Sequence, residues 1–128
     1  MKGLALAPQQ SDITGGTLET PFISGTLMNK IVIEDGFNGF LKEMLQKFDW
    51  DADIAWSVMN CESNGNPIAH NFSVETRDDS WGLFQINLYG DLATKRPSPE
   101  WLVIPENNIN YAFQLYQQGG WEHWKNCL

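Results

Sequence analysis

The chain has 128 residues, a length that fits one domain with room for a short appendage. Hydrophobic residues make up 42% and charged residues 19%, which excludes a chain that is disordered throughout. The net charge of −8 argues against nucleic acid and against an anionic membrane surface as partners, because both would repel the protein. No apolar run approaches the roughly 18 residues of a membrane span, so none is predicted.

The first 35 residues differ from the rest of the chain. Gly, Pro, Ser and Thr interrupt them, and only residues 27–33 have the apolar character of one short strand. The start imitates a signal peptide, but its apolar run of five residues is shorter than the about 7–15 that such a signal needs. We therefore predict no conventional secretion signal, and we divide the chain into an extended segment, residues 1–35, and a folded domain, residues 36–128.

Two helices are predicted at the start of the domain. Across residues 36–48, Phe, Leu and Met recur every three or four positions, as on the core face of an amphipathic helix. Asp51 or Asp53 can cap the second helix, which runs to about Cys61 or Glu62. Turn-forming Asn and Gly residues and a proline then end it.

The second half of the domain is predicted to be mixed. Short apolar alternations across residues 68–90 indicate a small β-hairpin. The three prolines of residues 91–106 indicate a loop, and residues 107–118 have the pattern of a last amphipathic helix, which a Gly-Gly pair ends. Trp121 and Trp124 are expected to fold back onto the core.

The two cysteines, Cys61 and Cys127, leave two interpretations open. With two histidines and no CxxC spacing, they do not form a zinc set, and no metal site is predicted. They form either one disulfide or two buried thiols. We favour the disulfide, because Cys61 adjoins the end of the second helix and Cys127 follows a Trp-x-x-Trp segment that should return to the core.

Glu62 is the candidate catalytic residue on physical grounds. It follows Ile54 and Val58 at intervals of four, so it ends an apolar helical stripe where burial disfavours its ionised form. The helix dipole at a C-terminus also disfavours an anion. A carboxyl group kept protonated near neutral pH is a general acid. The alternative, an exposed Glu that merely ends a helix, remains open on position alone.

Three segments resemble a known family. Residues 61–67 read Cys-Glu-Ser-Asn-Gly-Asn-Pro, residues 81–87 read Trp-Gly-Leu-Phe-Gln-Ile-Asn, and Asn108-Ile109 opens the last helix. In this order they resemble the lysozyme-like superfamily, most closely the soluble lytic transglycosylase domains and the phage lysozymes. The resemblance covers roughly residues 50–127. It implies an α+β, mainly α-helical, lysozyme-like fold with a small β-hairpin beside the substrate cleft.

The resemblance also implies an activity, the cleavage of the β-1,4 bond between N-acetylmuramic acid and N-acetylglucosamine in the glycan strands of peptidoglycan. Glu62 matches the family's catalytic acid, and no cofactor is predicted. The expected substrate contacts are Ser63, Trp81, Gln85, Asn87 and Tyr89. For the two aromatic residues of that set, plain core packing remains an alternative.

The position of a second carboxylate decides between two reactions. Animal lysozymes carry an Asp two residues before the hairpin glycine, where this chain has Ser80. Asp79 would point to the opposite face of a strand, whereas Asp78 has the right parity and is the candidate stabiliser. The usual carboxylate pair is therefore not cleanly present. We expect a single-acid mechanism of the lytic transglycosylase type, with a 1,6-anhydro product; hydrolysis assisted by the substrate's acetamido group is the alternative.

The charge of the chain bears on where it works. A protein of charge −8 is repelled by an anionic bacterial wall, but tethering to a larger body raises its effective concentration there. A phage virion would provide this, with residues 1–35 docked on other virion proteins; an endolysin made in the host cytoplasm is the alternative. A rival from another class is a structural or binding protein that keeps the fold without useful activity. The acidic surface favours this rival, and the joint presence of Glu62, Ser63 and Gln85 opposes it.

Overall fold

The computed structural model describes residues 36–128. The expectations for residues 1–35, namely the short strand at residues 27–33 and the docking segment, lie outside the described residues. The described part is a mainly helical α+β structure, which confirms the predicted class. Its elements are α1 (residues 36–45), α2 (Ala52–Ser63), β1 (His70–Ser73), β2 (Asp78–Trp81), β3 (Ile86–Asn87), α3 (Leu92–Lys95), α4 (Pro99–Leu102), α5 (Pro105–Gly119) and a C-terminal 3₁₀ segment (Gly120–Cys127).

Helix α1 ends three residues before the predicted boundary at Phe48. The carbonyls of a last helical turn have no partner within the helix. Here the indole Nε1 of Trp50 donates to the carbonyl of Leu45 at 2.8 Å. The chain therefore bends back after residue 45, and the ring of Phe48 packs beside that of Trp50 at 5.9 Å between centroids.

Helix α2 begins at an Asp cap, and the structure selects Asp51 over Asp53 for this role. Asp51 Oδ1 accepts hydrogen bonds from the backbone N–H groups of Asp53 and Ile54 at 3.0 and 3.1 Å. The helix ends at Ser63, and Asn64 follows in the left-handed conformation with a φ of 56°. Glu62 is therefore part of the last helical turn.

Three short antiparallel strands in the order β1-β2-β3 form the sheet, where the sequence predicted a hairpin. In the register, Ser80 of β2 pairs with Asn71 of β1 and with Asn87 of β3. Because side chains alternate along a strand, Asp78 and Ser80 share one face of β2. Asp79 and Trp81 share the other.

The prediction of a loop over residues 91–106 is wrong. This stretch contains α3, α4 and the first turn of α5, which begins at Pro105, two residues before the predicted start. Pro99 and Pro105 each lie in the first turn of their helix, where the missing N–H of proline costs no helical hydrogen bond. Ser98 caps α4 by accepting the N–H of Trp101 at 3.3 Å.

A cluster of half-buried aromatic rings lies against the mainly aliphatic core, and Trp50 is at its centre. The centroid of its ring lies between 5.3 and 5.7 Å from those of four other rings, which belong to Phe84, Phe113, Tyr116 and Trp121. Trp124 is 3% exposed, and its indole donates to the carbonyl of Phe84 at 2.9 Å. Trp121 and Trp124 therefore fold back as the sequence predicted.

A disulfide joins Cys61 of α2 to Cys127 of the 3₁₀ segment, with 5.8 Å between the Cα atoms and 66 residues of sequence separation. Closing a loop of that length stabilises the fold by about 4 kcal/mol on the chain-entropy model. The bond anchors the end of the chain to the residue before Glu62.

The buried side chain of Asn108 connects α5 to the turn between β2 and β3. It is fully inaccessible, and its Nδ2 donates to the carbonyls of Trp81 and Leu102 at 3.0 and 2.9 Å. Its Oδ1 accepts the N–H of Phe84 at 2.8 Å. Gly82 has a φ of +81°, and a Cβ there would lie 2.2 Å from Asn108 Nδ2. Only a glycine fits between the turn and this amide.

None of the helices formed by residues 36–128 combines the length and the apolar character that a membrane span requires.

We expect Asn108→Ala to lower the free energy of unfolding by about 3 kcal/mol or more, because three buried backbone groups lose their hydrogen-bond partner. Urea unfolding followed by circular dichroism measures this. Asn110→Ala, an exposed position on the same helix, is the control and should change stability by less than about 1 kcal/mol. Equal stability of the two variants would contradict the role assigned to Asn108.

Candidate active site

Glu62 lies half-buried in the last turn of α2. Burial is the larger cause that raises the pKa of its carboxyl group above the ordinary value of 4.5, and the charge of Asp78 is the second cause. The charge of Asp78, which lies on a strand, therefore acts on Glu62, which lies on a helix. The structure brings together the predicted catalytic acid and the predicted stabiliser.

The last turn of α2 is held from within the helix. Ser63 is 9% exposed, and its Oγ donates to the carbonyl of Met59, four residues earlier, at 3.1 Å. This hydroxyl was predicted to contact substrate. In the structure it is directed to the backbone of its own helix, where it fixes the turn that carries Glu62.

Asp78 shares its face of the sheet with Ser80. The hydroxyl of Thr76 donates to one oxygen of the Asp78 carboxyl group, and Ser80 Oγ lies 3.5 Å from the other. Ser80 is 6% exposed, so a buried hydroxyl lies two residues before Gly82. Of the two carboxylates on β2, Asp78 is the one whose charge acts on Glu62.

Asp79 is engaged on the opposite face of the sheet. Its Oδ1 lies 2.7 Å from His70 Nε2 and accepts the indole N–H of Trp81 at 3.1 Å. The rings of His70 and Trp81 stack, with 3.6 Å between centroids and 14° between planes. Trp81, a predicted substrate contact, is therefore half-buried in a cluster that points away from the face of Asp78.

The amide of Gln85 connects the hairpin turn to β1. Its Nε2 donates to the carbonyls of Ala69 and Gly82 at 3.1 and 2.9 Å, and its Oε1 accepts from Asn71 Nδ2 at 2.7 Å. Both amide hydrogens thus have protein partners. Sequence reasoning assigned this amide to the substrate, and the structure shows it holding the sheet in place.

Asn87 has a similar position in the hydrogen-bond network. Its Oδ1 accepts the backbone N–H groups of Asp79 and Tyr89, both at 2.9 Å, and its Nδ2 donates to the carbonyl of Arg77 at 3.0 Å. Tyr89, the remaining predicted contact, has its ring 6.4 Å from that of Phe72 and 5.8 Å from the guanidinium of Arg77. Tyr89 is half-buried.

Sequence reasoning missed Asn71 and Thr76. Asn71 orients Gln85, and Thr76 orients Asp78. Both contacts depend on strand register and turn geometry. In the sequence, Asn71 and Thr76 are polar residues within or beside a predicted strand, and nothing there indicates which side chains they contact.

Among residues 36–128, no three His, Cys, Asp or Glu side chains are grouped closely enough to hold a metal ion. Neither a protein-family model nor a curated protein nor a solved structure matches the chain.

The raised pKa of Glu62 predicts how Glu62→Gln changes stability with pH. Because the folded state binds this proton more tightly than the unfolded state, wild type loses stability as the pH rises from 4.5 through the folded pKa. The variant has no such loss. We expect the difference in melting temperature, variant minus wild type, to increase across that window and then to stay constant.

Thermal unfolding at a series of pH values measures the difference, with Asp78→Asn as the companion variant. Asp78→Asn removes the second cause of the pKa shift, so Glu62→Gln made in that background should show a narrower window. A difference that stays constant at all pH values would refute the assigned state of Glu62.

Proposed function

We propose that this chain cleaves the β-1,4 bond between N-acetylmuramic acid and N-acetylglucosamine in peptidoglycan, with Glu62 as general acid and then general base. The observation that carries the proposal is the half-buried carboxyl group at the end of α2, whose pKa is raised by burial and by Asp78. A carboxyl group that stays protonated closer to neutral pH can protonate the leaving glycosidic oxygen.

A lysozyme-like fold is part of this proposal. Its support is that two of the three segments resembling that family are hydrogen-bonded to each other, because Asn108 at the start of α5 binds the Trp81–Phe84 turn. The disulfide joins Cys61 of the other segment to Cys127 of the 3₁₀ segment, and Trp124 of that 3₁₀ segment donates to the carbonyl of Phe84. The segments therefore act as parts of one structural unit.

We further propose that the reaction is of the lytic transglycosylase type. Glu62 gives its proton to the leaving oxygen as the bond from C1 to that oxygen breaks. The resulting carboxylate takes the proton of the C6 hydroxyl of the same muramic acid, and O6 bonds to C1 to give the 1,6-anhydro ring. This route needs one titrating carboxyl group and no water. The support is that the position two before Gly82 holds the buried hydroxyl of Ser80.

A second candidate function has a specific observation in its favour. The polar atoms of Ser63, Gln85 and Asn87 are hydrogen-bonded within the protein. Fewer of their hydrogen-bonding groups therefore remain for a substrate. Such an arrangement suits a lysozyme-like structural or binding protein with weak catalysis. The activity of wild type on purified cell walls distinguishes the two candidates.

The proposed place of action is a phage particle that carries the enzyme to the bacterial wall. The charge of −8 supports delivery by a carrier, because free diffusion onto an anionic wall is opposed by repulsion. Docking on other virion proteins would use residues 1–35, which lie outside the described residues. An endolysin released from the host cytoplasm is the alternative.

We expect Glu62→Gln to lose wall-lytic activity by about 10²-fold or more while it folds normally, because the amide cannot donate the proton that the leaving group needs. Turbidity loss of purified peptidoglycan measures the rate. Glu100→Gln, an exposed substitution on α4, is the matched control and should keep full activity. A fully active Glu62→Gln variant would contradict the assignment of Glu62 as the catalytic acid.

We expect the products of wild type to end in 1,6-anhydromuramic acid, and we expect Asp78→Asn to give the same ends. Mass spectrometry of the soluble fragments distinguishes these ends from reducing ends by the mass of one water. Reducing ends that disappear in Asp78→Asn would show hydrolysis directed by Asp78, and would replace the transglycosylase mechanism while leaving Glu62 as the acid.

A further inference from the structure

A pocket of about 240 Å³ is lined by Gln85 and Asn87, two of the expected substrate contacts, but not by Glu62 or Asp78. Strand β3, helices α3 and α5 and the 3₁₀ segment contribute to its walls, through residues that include Ile86, Leu92, Leu115 and Trp124. Pockets for drug-sized ligands are about 300–1,000 Å³. This one is smaller, so it suits a compact chemical group.

Two basic side chains, Arg96 and His123, line this pocket. Nη1 of Arg96 donates to the carbonyl of Asn87 at 2.8 Å, which fixes the guanidinium against β3. Within residues 36–128 this is the one hydrogen bond that the side chain of Arg96 makes. A guanidinium has five N–H donors, so the others remain for a ligand.

No acidic residue among residues 36–128 lines the pocket. Glu122, the carboxylate that acts on His123, is exposed, and its Oε2 lies 3.5 Å from Lys125 Nζ. Burial is the main cause that lowers the pKa of His123 below its ordinary value of 6.5. Repulsion from Arg96 lowers it further, and Glu122 opposes the two. Two basic groups thus converge in a chain whose net charge is −8.

We propose that this pocket is an anion-binding site, which takes a carboxylate or a phosphate group between Arg96 and His123. The planar fork of a guanidinium binds such oxyanions through paired, charge-assisted hydrogen bonds. Burial and Arg96 lower the pKa of His123 in the free protein, so a bound anion would favour protonation of the ring, which then supplies the second charge. Because Gln85 and Asn87 line the same pocket, the anion would lie beside the glycan on the proposed function, but binding of the anion itself needs no catalysis by Glu62.

The test uses the wild-type protein and NMR titration of its two histidines. The pH titration of the His123 ring is recorded in chloride, in inorganic phosphate and in acetate at equal ionic strength. A bound anion stabilises the imidazolium, so we expect the pKa of His123 to rise in the buffer whose anion fits. The His70 signal is the internal reference for general salt effects. A rise in phosphate alone assigns a tetrahedral ligand, and a rise in acetate alone assigns a carboxylate.

Variants locate the effect at the pocket. Arg96→Gln should weaken anion binding roughly tenfold or more, the effect of removing a hydrogen bond to a charged group. Lys125→Gln removes the same charge from an exposed position on the 3₁₀ segment and should bind as wild type does. In His123→Gln, anion binding is followed through the backbone amide signals of the pocket and should be weaker as well.

The absence of any shift of His123 in both anions would overturn the proposal. Equal weakening in Arg96→Gln and Lys125→Gln would also overturn it, because it would show attraction by the general field of the protein. If Arg96→Gln does not fold, the wild-type and His123→Gln measurements decide.

Discussion

The fold around the site depends on one buried amide, that of Asn108. Burying the peptide groups of a tight turn is unfavourable unless each group finds a partner. Asn108 provides a donor for Trp81 and an acceptor for Phe84, and its other hydrogen binds Leu102. One side chain therefore connects α4, α5 and the β2–β3 turn. The absence of a side chain at Gly82 is the condition for this close approach.

The acidity of Glu62 is a property of the whole arrangement. Cys61, the residue before it, is bonded to the end of the chain, and Ser63, the residue after it, is bonded back to α2. The other contributor, Asp78, is on a sheet that Gln85 connects to the hairpin turn. The helix and the sheet together set the pKa. A displacement of the sheet would change the repulsion without any change in Glu62 itself.

The sequence allowed some of this to be predicted and not the rest. The cap at Asp51 and the return of Trp124 to the core follow from local rules, since one depends on two neighbouring N–H groups and the other on apolar burial. The prolines of residues 91–106 led to the wrong prediction of a loop. Proline breaks the interior of a helix, but it is favoured in the first turn, where Pro99 and Pro105 lie. The roles of Gln85 and Asn87 could not be read, because an amide serves a substrate and a backbone group equally well. Their partners are set by strand register.

The hydrogen bonds within the site have a consequence for the proposed reaction. The amides of Gln85 and Asn87 already donate hydrogen bonds to backbone carbonyls. These two side chains therefore cannot supply all of the affinity for a substrate. Glu62 is half-exposed in the free protein, so a sugar ring placed over it would remove the remaining water. Further burial disfavours the ionised form, and the pKa would rise beyond its value in the free protein. On the proposed function, binding of the glycan would therefore strengthen the acid that cleaves it.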